Sequence, residues 1–114
     1  MFTLSFWKWA KAMDEWSRDE FLTATNSNFS GLVYFYTPLC GTCQVASRML
    51  GIITQMVDVK IGKMNLNFYP EIAKSFSIES VPCLMFVQNG EVKETIYAFH
   101  SVPYLLDTIK QYFY

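Results

Sequence analysis

Leu32-Val33-Tyr34-Phe35-Tyr36 is a continuous apolar run that Pro38 brings to a halt. A run this short, rich in β-branched and aromatic residues, reads as a central strand. From Gly41 onward Val45, Met49, Ile52, Ile53 and Met56 follow helical spacing, so a helix starts almost where the strand stops and turns that face to a sheet. Val57, Val59 and Ile61 then alternate and predict a second strand. A strand–helix–strand unit of this length joins parallel neighbours through a right-handed crossover. That commits the chain to an α/β fold. It also puts the loop after Pro38 at the carboxyl end of a central strand, where open α/β sheets hold their sites.

That loop carries Cys40-Gly41-Thr42-Cys43. Two thiols at a strand-to-helix seam are placed for dithiol–disulfide exchange, and Cys40 falls at the helix N-terminus, where the dipole and free amides stabilise a thiolate. A zinc site is a poor alternative, because it needs four ligands and the chain offers one further cysteine, Cys83, and a single His100 without ligand spacing. No metal is expected. Glycine-rich phosphate loops, acyl-transfer triads and paired catalytic carboxylates are not picked out either.

Length and composition narrow the setting. The 114 residues suffice for one core, and with 52% hydrophobic residues that core packs without disulfide staples. Three cysteines do not make a secreted disulfide framework, so a reducing compartment, the cytoplasm, is expected. The formal net charge of −1, with scattered lysines, gives no field for nucleic acid. No apolar stretch is long enough to span a membrane. Residues 1–12 lack a basic start and are interrupted by Lys8 and Lys11, so they read as an aromatic extension packed on a domain of residues 13–114 rather than a signal peptide.

The remaining elements follow from local signals. Ser17-Arg18-Asp19-Glu20 has the form of a capping box and predicts a helix to about Asn26, with Phe21 and Leu22 inward. Pro70 suits the first turn of a helix to about Phe76. Cys83 to Val87 and Val92 to Tyr97 flank Gln88-Asn89-Gly90-Glu91, the strongest short hairpin signal. Ser101 caps a last helix from about Pro103 to Phe113, whose Leu105, Leu106, Ile109 and Phe113 face inward.

The succession Val33-Tyr34-Phe35-Tyr36-Thr37-Pro38-Leu39-Cys40-Gly41-Thr42-Cys43, with the later Ser80-Val81-Pro82-Cys83-Leu84-Met85-Phe86-Val87-Gln88-Asn89-Gly90-Glu91, closely resembles the thioredoxin family over about residues 13 to 113. The resemblance implies a thioredoxin fold, a central mixed β-sheet of four to five strands flanked by helices on both faces. It implies that Cys40 is the attacking thiol and Cys43 the resolving one, with Gly41 and Thr42 between them. It further implies that Val81-Pro82 is a cis peptide beside the dithiol, where with Leu39 it meets an extended substrate segment.

Three departures from the family pattern stand out. Tyr34 occupies the place of a buried acid and is no base at neutral pH, while Lys63 stands at the family's lysine position and is expected to favour a Cys43 thiolate. Around the motif, Leu39 precedes Cys40, Tyr36 replaces a usual Trp, and Thr42 replaces a rigid Pro. Thr42 keeps its N–H, so a further donor stabilises the Cys40 thiolate and the couple is expected to be less reducing than thioredoxin's about −270 mV. Cys83, where a Thr is typical, reads first as a small buried side chain; the second reading is an auxiliary thiol that forms an alternative disulfide or joins the pair as a metal or iron–sulfur ligand.

The resemblance thus implies a monomeric protein-disulfide oxidoreductase contributing to cell redox homeostasis through a Cys40–Cys43 couple. It needs no separate cofactor, takes disulfide-containing client proteins, and is recycled by a thioredoxin reductase or a low-molecular-weight thiol. The alternative is a thioredoxin-fold binding or redox-sensing module of weak activity, with Tyr34 and the N-terminal aromatics serving partner contacts.

Overall fold

The computed structural model describes residues 13–114, so the extension read at residues 1–12 lies outside the described residues. Strands β1 (Met13–Glu15), β2 (Gly31–Tyr36), β3 (Ile61–Asn65), β4 (Cys83–Gln88) and β5 (Glu91–Ile96) form one mixed sheet in the order β1-β3-β2-β4-β5. The β1–β3 and β3–β2 pairs are parallel, and the β2–β4 and β4–β5 pairs antiparallel. Among the described residues four helices pack with the sheet: α1 (Arg18–Thr25), α2 (Gly41–Met56), α3 (Pro70–Ser75) and α4 (Val102–Phe113). A 3-10 turn, Leu66–Phe68, links β3 to α3.

The alternation of β2 and β4 divides the core into two clusters. Leu32, Tyr34, Leu84 and Phe86 pack with Ala46, Leu50 and Ile53 of α2 and with Leu105 and Ile109 of α4. Val33, Phe35, Met64, Cys83, Met85 and Val87 point the other way, against Phe21 of α1 and Ile72 of α3. Both faces of the central strands are therefore covered. This is why β2 reads as an unbroken apolar run.

Local signals delivered most boundaries. Ser17 Oγ accepts the Glu20 amide at 3.2 Å while Glu20 Oε1 accepts the Ser17 amide at 2.9 Å, closing the capping box of α1. At the hairpin, Asn89 and Gly90 have φ of 52° and 81°, the left-handed pair that a two-residue turn requires. A Cβ on Gly90 would collide with the Ser27 carbonyl oxygen, so glycine is needed there for space as well.

Three expectations are corrected. Leu22, expected inward with Phe21, is exposed, and Ala24 is the second buried residue of α1. The second strand runs over Ile61–Asn65 and not Val57–Ile61, because the Val57 amide still closes α2 on the Ile53 carbonyl at 3.1 Å. Pairing with β2 begins only where Leu32 donates to the Lys60 carbonyl at 2.8 Å. The inward stripe of α2 is Cys43, Ala46, Leu50 and Ile53, whereas Val45, Ile52 and Met56 are about half exposed. At the start of α2 this face meets Tyr34 of β2, whose hydroxyl reaches the Cys43 carbonyl at 2.8 Å.

Candidate redox site

Cys40 is the N-cap of α2, with extended backbone (φ −105°, ψ 109°), and its carbonyl accepts the first helical amide, that of Gln44, at 3.3 Å. Cys40 and Cys43 are joined as a disulfide, their Cα atoms 5.1 Å apart. The sulfur of Cys40 also receives the Cys43 amide at 3.1 Å and lies 3.4 Å from the Thr42 hydroxyl. Cys43 is buried and Cys40 half-buried. The outer sulfur is thus reachable from solvent and the inner one shielded. Around them Pro38, Gly41 and Thr42 are exposed, and Leu39 is fully so.

Beneath the pair lies Tyr34, with no exposed surface. Its hydroxyl donates to the Cys43 carbonyl at 2.8 Å and sits 3.0 Å from the Ser47 hydroxyl. Burial pushes the phenol's pKa up, partly offset by the Ser47 hydrogen bond, so Tyr34 stays neutral. Its role as a partner-contact residue is overturned: a fully enclosed side chain meets no partner. Sequence reasoning also missed Ser47. Its spacing of four from Cys43 was the available signal, since such residues share a helix face.

Lys63 pairs with Tyr34 in the β2–β3 register, and its ammonium lies over the Tyr36 ring, 5.7 Å from the centroid. The Tyr36 hydroxyl donates to Glu15 at 2.8 Å, and burial together with that carboxylate raises its pKa. The charge expected beside Cys43 is thereby engaged with Tyr36.

The Val81–Pro82 peptide is cis. Because Phe35 pairs with Cys83, Pro82 falls beside the end of β2, where the cysteine loop departs. Cys83 itself turns away. It lies in the cluster under α1 and α3, whereas Cys40 and Cys43 belong to α2 on the opposite face. The second reading of Cys83, a partner in disulfide switching, therefore loses its geometry. Burial pushes its thiol up to about 12, offset in part by a hydrogen bond with Tyr97. The Tyr97 hydroxyl also accepts the Glu79 amide at 3.2 Å and donates to the Ser77 carbonyl at 3.3 Å, fastening the loop before Pro82. The sequence gives no sign of this second tyrosine clasp. Among the described residues no three His, Cys, Asp or Glu side chains gather to hold a metal ion.

The family model described as Thioredoxin matches residues 12–111. The chain belongs to the thioredoxin family. It is 51% identical over 81 residues to the thioredoxin-like protein YusE of Bacillus subtilis (strain 168), covering 70% of this chain and 76% of that protein. It is 32% identical over 89 residues to the thioredoxin of Pyropia yezoensis, covering 76% and 83%. Among solved structures, a single-site mutant of the thioredoxin from Halobacterium salinarum NRC-1 superposes with a TM-score of 0.76 at 23% identity over 88% of both chains, which shows the fold alone. A thioredoxin-family chain with a disulfide-bonded pair at this helix N-terminus supports thiol–disulfide oxidoreductase chemistry. Among the described residues no helix is long and apolar enough to cross a membrane.

Proposed function

We propose that this thioredoxin-family protein reduces disulfides in client proteins and so contributes to cell redox homeostasis. The observation that carries the reading is the placing of Cys40: its sulfur caps α2, receives the Cys43 amide at 3.1 Å, and is bonded to a buried Cys43. In the reduced protein the Cys40 thiolate attacks a client disulfide, the client S–S bond breaks, and one client thiolate leaves. The Cys43 thiolate then attacks Cys40, the mixed disulfide breaks, and the second client thiolate departs. Two electrons pass to the client, water exchanges the protons, and the protein is left oxidised. A thioredoxin reductase or a low-molecular-weight thiol resets it.

In this reading the chemistry needs no metal or organic cofactor, because both electrons come from the dithiol. The backbone at Val81-Pro82 pairs with an extended client segment, and Leu39 offers an apolar contact at the rim. The working compartment is the cytoplasm and the working form a monomer.

Insulin reduction tests the proposal. Turnover with dithiothreitol or a thioredoxin reductase, abolished by Cys40→Ser and halted at a trapped mixed disulfide by Cys43→Ser, is the expected result. A folded protein that shows no turnover with either reductant overturns it.

A further inference from the structure

We propose that Tyr34 and Ser47 are positioning residues for the resolving step: their two hydroxyls hold the Cys43 backbone so that its thiol meets the sulfur of a Cys40 mixed disulfide. The proposal rests on the dithiol reading above and assigns within it a role to two residues that do no sulfur chemistry themselves.

The direction of the hydrogen bonds is fixed by valence. A carbonyl only accepts, so Tyr34 donates to Cys43 at 2.8 Å, and its oxygen is then free to accept from Ser47 at 3.0 Å. By the i→i−4 pattern of α2, the Cys43 carbonyl is also the acceptor for the amide of residue 47. Ser47 therefore grips Cys43 twice, once through its own amide and once through the phenol of Tyr34. Tyr34 is held in turn by the sheet: it is fully enclosed, stacked on Tyr36 at 5.8 Å and edge-on to Phe99 at 6.1 Å. A rigid ring on the central strand thus anchors the turn of helix that bears the resolving thiol.

The arrangement is a different solution from a proton acceptor. No Asp or Glu is buried among the described residues, so no carboxylate lies in the interior to take the Cys43 proton. That proton leaves to water. The Cys43 thiolate then forms the Cys40–Cys43 bond as the Cys40–client bond breaks, and the client thiolate takes a proton from water. What the protein supplies to this step is alignment, which speeds an intramolecular attack by holding the reacting atoms near their approach geometry.

The test is a single-turnover reaction of the reduced full-length protein with glutathione disulfide, quenched with acid and read by mass spectrometry. Formation of the protein–glutathione mixed disulfide reports attack by Cys40, and its decay reports resolution by Cys43. Loss of one neutral hydrogen bond predicts that Tyr34→Phe and Ser47→Ala lengthen the life of the mixed disulfide about 3- to 10-fold, while its formation changes by less than about twofold. Ser47→Thr, which keeps the hydroxyl, is expected to restore the parental lifetime. Parental lifetimes in both folded variants overturn the proposal, and so does equal slowing of both steps. If Tyr34→Phe fails to fold, the half-buried Ser47→Ala decides alone. The underlying redox reading fails with a separate signature, a Cys43→Ser variant that captures no glutathione.

Discussion

The backbone amide of Cys43 lies 3.1 Å from the sulfur of Cys40, and the Thr42 hydroxyl lies 3.4 Å from the same atom. Both reach it from the first turn of α2. On reduction, a thiolate at Cys40 keeps these donors and the favourable end of the helix dipole. Stabilising the thiolate stabilises the reduced form, so the potential is expected to lie above thioredoxin's about −270 mV in a titration against glutathione buffers.

Removing one donor measures its share. Thr42→Ala is expected to lower the potential by about 30 mV, the equivalent of about 1.4 kcal/mol for a two-electron couple. Titration in glutathione buffers reads the potential. A shift to a more oxidising value would show that the hydroxyl does not favour the thiolate.

Leu39 is fully exposed beside Cys40. It contributes nothing to the folded core, yet an apolar client would cover it on docking. Leu39→Asp is therefore expected to cut kcat/KM for insulin by about tenfold, in line with the about 1.5–3 kcal/mol of burying a leucine side chain. The melting temperature should not move. Equal activity of variant and parent would remove Leu39 from the client surface.

Cys83 makes stability fall in alkali. Its thiol is neutral in the fold up to about 12, against an ordinary value of 9.0. The unfolded chain therefore releases its proton first, and folding loses ground as pH rises from about 9 towards 12, by at most about 1.4 kcal/mol per pH unit. Below pH 9 the contribution is fully present. Urea melts across this range should show a flatter decline for Cys83→Ala than for the parent, and parallel declines would contradict the assigned shift.

Gly90 is required twice over, by its φ of 81° and by the Ser27 carbonyl that occupies the space a Cβ would need. Gly90→Ala is expected to cost about 2 kcal/mol or more, seen as a lower urea midpoint. An unchanged midpoint would mean that the corner at residues 27–30 gives way freely.

The strand-to-helix seam was legible because everything that makes it is local: an apolar run, a proline, and a helix whose N-terminus coincides with Cys40. The hairpin was legible for the same reason, since Asn89-Gly90 is itself the turn. The inward face of α2 was not. Val45, Ile52 and Met56 are as apolar as Leu50, and helical period alone does not choose between overlapping stripes; packing of Ala46, Leu50 and Ile53 with Leu32 and Tyr34 does. Strand β3 was displaced because Gly62, Lys63 and Asn65 carry weak strand preference and are made extended by pairing, Gly62 and Lys63 on both sides and Asn65 with Tyr36 of β2. At the site, the cysteines and Pro82 could be read from their spacing and resemblance. The Tyr34–Ser47 contact could not, because it depends on the rotation of α2 over the sheet.

Among the described residues the sheet ends on one side in β1, Met13–Glu15, and on the other in β5, where Glu91, Lys93 and Glu94 load the strand with charge. Short or charged edges discourage another chain from adding itself as a strand. In the proposed cycle a client is bonded to Cys40 beyond the end of the central strand β2, which has one strand between it and each edge. A sulfur–sulfur bond is undone by the next thiol; a strand zipped along the sheet would have no such release. Guarded borders confine a client to the middle of the sheet's end, where it can be held and let go.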